Sequence, residues 1–185
     1  MVIAFLIILS VLFTLNIRNN SNGITAMEGL VIAENRVSEE YEGVLLVAAR
    51  SFASVDSSGH CDKWLYYYRN ANQTLEVQCI VSKNGSIELI EDFLPGPYLS
   101  PLTNWTIDSD KSVELAVNDS SIKAYLNQYN NARIESIYFT AGMENNTTTF
   151  CWIEWSDSGF MDDPHSAVIK LDANTGEVLY VDVQL

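Results

Sequence analysis

Three spacings of apolar residues follow one another along this chain, and two of them recur. Behind an N-terminal run that is apolar at nearly every position, "TAMEGLVIAENRVSEEY" sets Met27, Leu30, Val31, Val37 and Tyr41 close to one helical stripe. Thr25 and Glu28 have the spacing of a capping box, which fixes where that helix starts. Then come runs rich in β-branched and aromatic residues, "GVLLVAARSFASV", "KWLYYYR", "LEVQCIV" and "SIELI", which read as antiparallel strands separated by turn residues. The order now repeats. "DSDKSVELAVNDSSIKAYLNQY" carries Leu115, Ile122, Leu126 and Tyr129 on one helical face, with "NDSS" able to cap a new helix and break the first. "ARIESIYFT", "TTFCWIEW", "AVIKL" and "EVLYVDV" follow as strands, and the turns "SKNGS" and "DANTGE" are hairpin loops in which Gly85 and Gly176 supply positive φ.

A common offset supports duplication. Trp64 and Trp155 are 91 residues apart, as are Gly85 and Gly176, and the same shift lays Leu46 on Ile137, Ile80 on Leu171, Ile87 on Val178 and Leu89 on Tyr180. Between the halves, "DFLPGPYLSPLTNW" holds three of the four prolines, which neither a helix interior nor a central strand accepts. The expected organisation is α+β: an N-terminal hydrophobic segment at 1–18, a module at 24–91, a Pro-rich linker at 92–105 and a second module at 106–185. Each module is a helix packed on an antiparallel sheet. Trp64 and Trp155 are expected in the cores, where the helices dock. In "WLYYYR", strand alternation points Trp64, Tyr66 and Tyr68 to one side and Leu65 and Tyr67 to the other; a face open to solvent would suit a peptide or sugar, and one covered by the helix is core.

A helix, strands containing a Trp, and a closing hairpin "LDANTGEVLYV" resemble the PepSY and PepSY-like domains. The match is strongest over 105–185, in "DSDKSVELAVNDSSIKAYL", "CWIEW" and the final hairpin; the first half keeps Trp64 and Asn84-Gly85 but has Ser82 and Lys83 where Asp172 and its neighbour stand. The resemblance implies a non-catalytic, extracytoplasmic, membrane-anchored module that regulates another envelope protein, with peptidases as the partner class. It brings no catalytic residues and no cofactor.

Charge and compartment sharpen that expectation. Twenty-four acidic against 10 basic residues give a net charge of -14, a field that repels phosphate backbones and excludes nucleic acid as a partner. "MVIAFLIILSVLFTLNI", closed by Arg18, is near the lower limit of a membrane-spanning segment and reads as a single-pass signal anchor or a cleaved signal peptide; either puts the remainder outside the cytoplasm. Asn-X-Ser/Thr occurs at Asn19, Asn72, Asn84, Asn104, Asn118, Asn145 and Asn146, against about 2.4 expected by chance from 16 Asn and 28 Ser plus Thr. That excess suits a glycosylated surface.

The chemistry on offer is sparse. No phosphate loop, HExxH, Gly-X-Ser-X-Gly or Cys-X-X-Cys motif is present, and His60 and His165 are the only near-neutral bases. His60 adjoins Cys61 in a Ser/Gly-rich loop, a weak signal for a nucleophile and base. Cys61 and Cys79 flank the hairpin at "RNANQ" and are disulfide candidates in an oxidising compartment, while Cys151 reads as a buried apolar residue. Asp157, Asp162, Asp163 and His165 form an acidic loop that suggests calcium, without EF-hand spacing, and "DANTG" from Asp172 starts like a calcium loop but has Val183 at the twelfth position, where the closing carboxylate belongs. The alternative function is therefore a surface module that binds calcium or carbohydrate.

Overall fold

Thr25 caps the first described helix as the sequence requires. Its Oγ1 accepts from the Glu28 amide at 3.3 Å, and the Glu28 carboxylate accepts from the Thr25 amide at 2.9 Å, a reciprocal capping box. In this computed structural model, which describes residues 23–93, 99–142, 148–157 and 165–184, the capped helix is α1, Ala26–Glu40. The N-terminal segment 1–18 lies outside the described residues.

All eight expected strands form: β1 Val44–Ser51, β2 Lys63–Asn70, β3 Glu76–Ser82, β4 Ile87–Asp92, β5 Arg133–Ala141, β6 Thr149–Ser156, β7 Ser166–Asp172 and β8 Val178–Val183. The second helical stretch is split into α2, Ser109–Asn118, and α3, Ser120–Gln128. Asp119 makes the break, because its carboxylate accepts from the Ser121 and Ile122 amides and so starts a new helix.

Two separate sheets were expected, and one is found. The strand order is β4-β3-β2-β1-β5-β6-β7-β8, antiparallel throughout. The halves join where Ala48, Ala49 and Arg50 of β1 pair with Thr140, Phe139 and Tyr138 of β5. That pairing removes two exposed edges, which is a physical reason for the first strands to meet. The core is shared too: Trp64 and Phe139 lie 6.3 Å apart between ring centroids, within one apolar cluster that runs from α1 to α3.

The segment expected as a linker is structural over its described part. The Leu102 amide donates to the Leu46 carbonyl at 2.8 Å, Thr103 and Thr149 exchange hydrogen bonds, and Trp105 stacks on Phe139 at 4.3 Å. It fills the space left where β1 and β5 pair over only three positions.

Two packing expectations change. The buried stripe of α1 is Ala26, Gly29, Ala33 and Val37, whereas Val31 is 47% exposed. Small residues let the helix lie close to the sheet: a Cβ on Gly29 would collide with the Tyr66 hydroxyl, which donates to the Ala26 carbonyl at 2.6 Å. Trp64 and Trp155 are both buried, but Trp64 is second in β2 and Trp155 second from last in β6, so the shared 91-residue spacing does not put them at equivalent places. Gly85 and Gly176 do match, with φ of 81 and 78° in the β3–β4 and β7–β8 hairpins.

Candidate functional site

Strand alternation sorts the "WLYYYR" side chains as expected: Trp64, Tyr66 and Tyr68 face the helices, and Leu65, Tyr67 and Arg69 face the other way. On that second face the registers assemble a row across the sheet. Arg50 pairs with Tyr138, Tyr138 with Trp152, Trp152 with Lys170, and Lys170 with Tyr180, so five adjacent strands each contribute one side chain. Paired positions of an antiparallel sheet lie about 5 Å apart, close enough for these side chains to touch. Lys170 Nζ stands 3.8 Å from the Phe150 ring centroid and 4.9 Å from that of Trp152, a cation held on aromatic faces.

Beside the row is a cavity of about 540 Å³, walled by Arg50, Tyr67, Tyr138, Trp152, Glu154 and Val168. Burial raises the Tyr67 hydroxyl pKa, and the Arg50 guanidinium pulls it partly back. One end is closed by Arg69 and Glu76, whose side chains are 4 and 7% exposed and whose closest contact is 2.6 Å. A pair this buried needs its remaining valences filled. Gln73 accepts from Arg69 at 3.2 Å and Gln78 donates to Glu76 at 3.0 Å. The cavity is therefore rigid at that end, with rings and ionic groups side by side.

The row ends at a sheet edge. Val178, Leu179 and Tyr180 of β8 are 40, 43 and 49% exposed, consecutive apolar residues with no proline or lysine among them. The opposite edge, β4, carries Glu88, Glu91 and Asp92, the charged form in which natural edges avoid pairing. Among the described edge strands β8 carries one charge, Asp182, beyond its three exposed apolar residues, against three on β4.

The other expected sites fare differently. Cys61 and Cys79 do not bridge, and all three cysteines are free thiols. Cys79 lies opposite Tyr66, and that register carries Cys61 about five residues along the strands, roughly 17 Å at strand rise. Cys61 Sγ instead donates to the Ala53 and Lys63 carbonyls, and Cys151 is buried. Burial raises the Cys61 pKa and pushes those of Cys79 and Cys151 up to about 12, away from thiolate chemistry. His60 Nδ1 lies 3.0 Å from Ser58 Oγ, so its ring and the Cys61 thiol have different partners.

His165 Nδ1 is 3.7 Å from Asp157, and its ring stacks on Tyr129 at 4.8 Å. Asp162 and Asp163 lie outside the described residues, among which no group of three or more His, Cys, Asp or Glu could hold a metal. Asp172 is spent on its own turn, accepting from the Asn174 and Thr175 amides. Asn72, Asn84, Asn104 and Asn118 are exposed, while Asn19, Asn145 and Asn146 are outside the described residues. No helix among the described residues is long and apolar enough to cross a membrane.

Sequence reasoning found Tyr67 but missed Arg50, Tyr138, Trp152 and Lys170. Alternation within each strand gives the face of each residue, but only the order and register of the strands brings them into one row. In comparisons with known proteins, no family model and no curated sequence matches this chain.

Proposed function

We propose that this protein is a non-catalytic binding protein of the cell envelope. Two PepSY-like modules joined through their first strands stand outside a membrane held by segment 1–18, and a segment of another envelope protein adds to β8 as a further strand. The module reading is supported by the order in each half, one helix in the first and a split helix in the second followed by four antiparallel strands, and by Gly85 and Gly176 at the matching hairpin. The observation that carries the binding mode is the contrast of edges: exposed Val178, Leu179 and Tyr180 on β8 against Glu88, Glu91 and Asp92 on β4. Strand addition draws affinity from main-chain hydrogen bonds and specificity from alternate side chains, and needs no catalytic residue. A peptidase is the partner class that the resemblance favours.

The test is capture with tagged full-length protein from its own membrane, comparing wild type with Leu179→Lys. A partner lost from the variant is expected. Recovery of the same proteins by both would refute binding at this edge.

A second reading has its own support. Tyr67, Tyr138 and Trp152 beside Arg50 and Glu154 offer the ring faces and polar groups that a sugar uses. Titration of oligosaccharides against wild type and Trp152→Ala tests it, with saturable binding lost in the variant as the expected result and no saturable binding by wild type as the contrary one.

A further inference from the structure

The helix-covered side of the molecule holds a larger opening than the site above. A groove of about 1000 Å³ runs between the C-terminal half of α1 and residues 101–105, with Leu30, Val37, Val44, Leu46, Leu102 and Trp105 along it. Its charges have one sign. Glu34 and Glu42 line it, no lysine, arginine or histidine does, and neither carboxylate forms an ion pair among the described residues.

Tyr68 is also part of the lining. It is 4% exposed, and its hydroxyl is buried without any hydrogen-bond partner. A buried polar group left unpaired costs stability, so such a group in a native fold calls for an explanation. Burial and the neighbouring Glu34 charge raise the Tyr68 pKa, which keeps it a neutral hydroxyl with a lone pair to offer.

We propose that this groove binds an amphiphilic primary amine. Its ammonium pairs with the Glu34 carboxylate and displaces the side chains that cover the Tyr68 hydroxyl to donate to that oxygen, and its hydrocarbon body lies against Leu30, Val37, Leu102 and Trp105. Each feature of the groove has a counterpart in that ligand. The apolar walls take the chain, the acidic groups select a cation over an anion of the same shape, and the orphaned hydroxyl gains its missing partner. An anionic lipid or fatty acid would meet two carboxylates and no cation. The inference is independent of strand addition at β8, which lies at the far edge of the sheet.

The experiment uses full-length protein and two photoactivatable probes of equal length, an alkyl diazirine ending in a primary amine and one ending in a carboxylate. Labelled positions are read by peptide mass spectrometry. The amine should label α1 and residues 101–105, and the carboxylate should label them about tenfold less. Glu34→Gln should lower amine labelling there by about tenfold, the size of one charge-assisted hydrogen bond. Tyr68→Phe should raise the melting temperature of the unliganded protein while lowering amine labelling. Equal labelling by both probes, amine labelling unchanged in Glu34→Gln, or a Tyr68→Phe variant that is less stable than wild type would each overturn the proposal.

Discussion

Removing the Asp108 carboxylate should cost more than any single helix cap, because it serves two helices. Asp108 is the N-cap of α2, accepting from the Ser109 amide at 2.6 Å, and the same oxygen accepts from the Met27 amide of α1 at 2.9 Å. Ser109 Oγ takes the adjacent Ala26 amide at 3.0 Å. Two helix N-termini, both positive dipole ends, therefore converge on one carboxylate from the second half of the chain. Losing a cap costs about 1 kcal/mol, and losing a favourable charge at a helix N-terminus about 0.3–1 kcal/mol. Counting both helices, Asp108→Ala should destabilise the protein by about 2.6–4 kcal/mol. Asp108→Asn, which keeps an acceptor and loses the charge, should cost about half of that. Equilibrium urea unfolding followed by circular dichroism measures both, and all variants should unfold in one transition, since α1 and α2 are tied together. A cost near 1 kcal/mol or below for Asp108→Ala, or a second transition in wild type, would refute the argument that the halves are one cooperative unit.

Other expectations follow from the packing. Gly29→Ala should destabilise, although alanine favours helix by about 1 kcal/mol, because overpacking against the Tyr66 hydroxyl costs about 1–3 kcal/mol; adding Tyr66→Phe should recover part of the loss in a double-mutant cycle. Glu76→Gln leaves the Arg69 charge buried without its carboxylate and should cost about 3–5 kcal/mol, read by the same unfolding assay. The thiols of Cys79 and Cys151 have pKa values raised from 9.0 to about 12 in the fold. Above pH 9 the unfolded chain releases these protons first, so their contribution is fully present below pH 9 and is lost between pH 9 and about 12. Urea midpoints at successive pH values in that window should fall, and Ellman's reagent at pH 8 should react with these thiols only after unfolding.

Local signals carried much of this fold. The eight strands follow from alternation and β-branched content, the start of α1 from the Thr25/Glu28 pair, and the split between α2 and α3 from the "NDSS" cap. What was not legible depends on tertiary pairing. Three residue pairs between β1 and β5 decide that there is one sheet, and nothing near Ala48 or Phe139 marks them for each other. The face of α1 is legible in part: Val37 is buried and Leu30 and Tyr41 pack against the core, but Val31 is exposed because close docking selects Gly29 and Ala33. A disulfide between Cys61 and Cys79 looked reasonable from their positions around a hairpin, and the register alone separates them. The row from Arg50 to Tyr180 was hidden for the same reason: each member is ordinary in its own strand, and only the sheet makes them neighbours.

The most direct test of the binding reading is site-specific photocrosslinking in the native membrane, with a photoreactive amino acid at Leu179 on β8 or at Ile90 on β4, both exposed apolar positions on opposite edges. The account predicts a discrete crosslinked protein from position 179 and none from position 90, with competition by a peptide from that protein. Equal crosslinking from both edges, or none from β8, would contradict it.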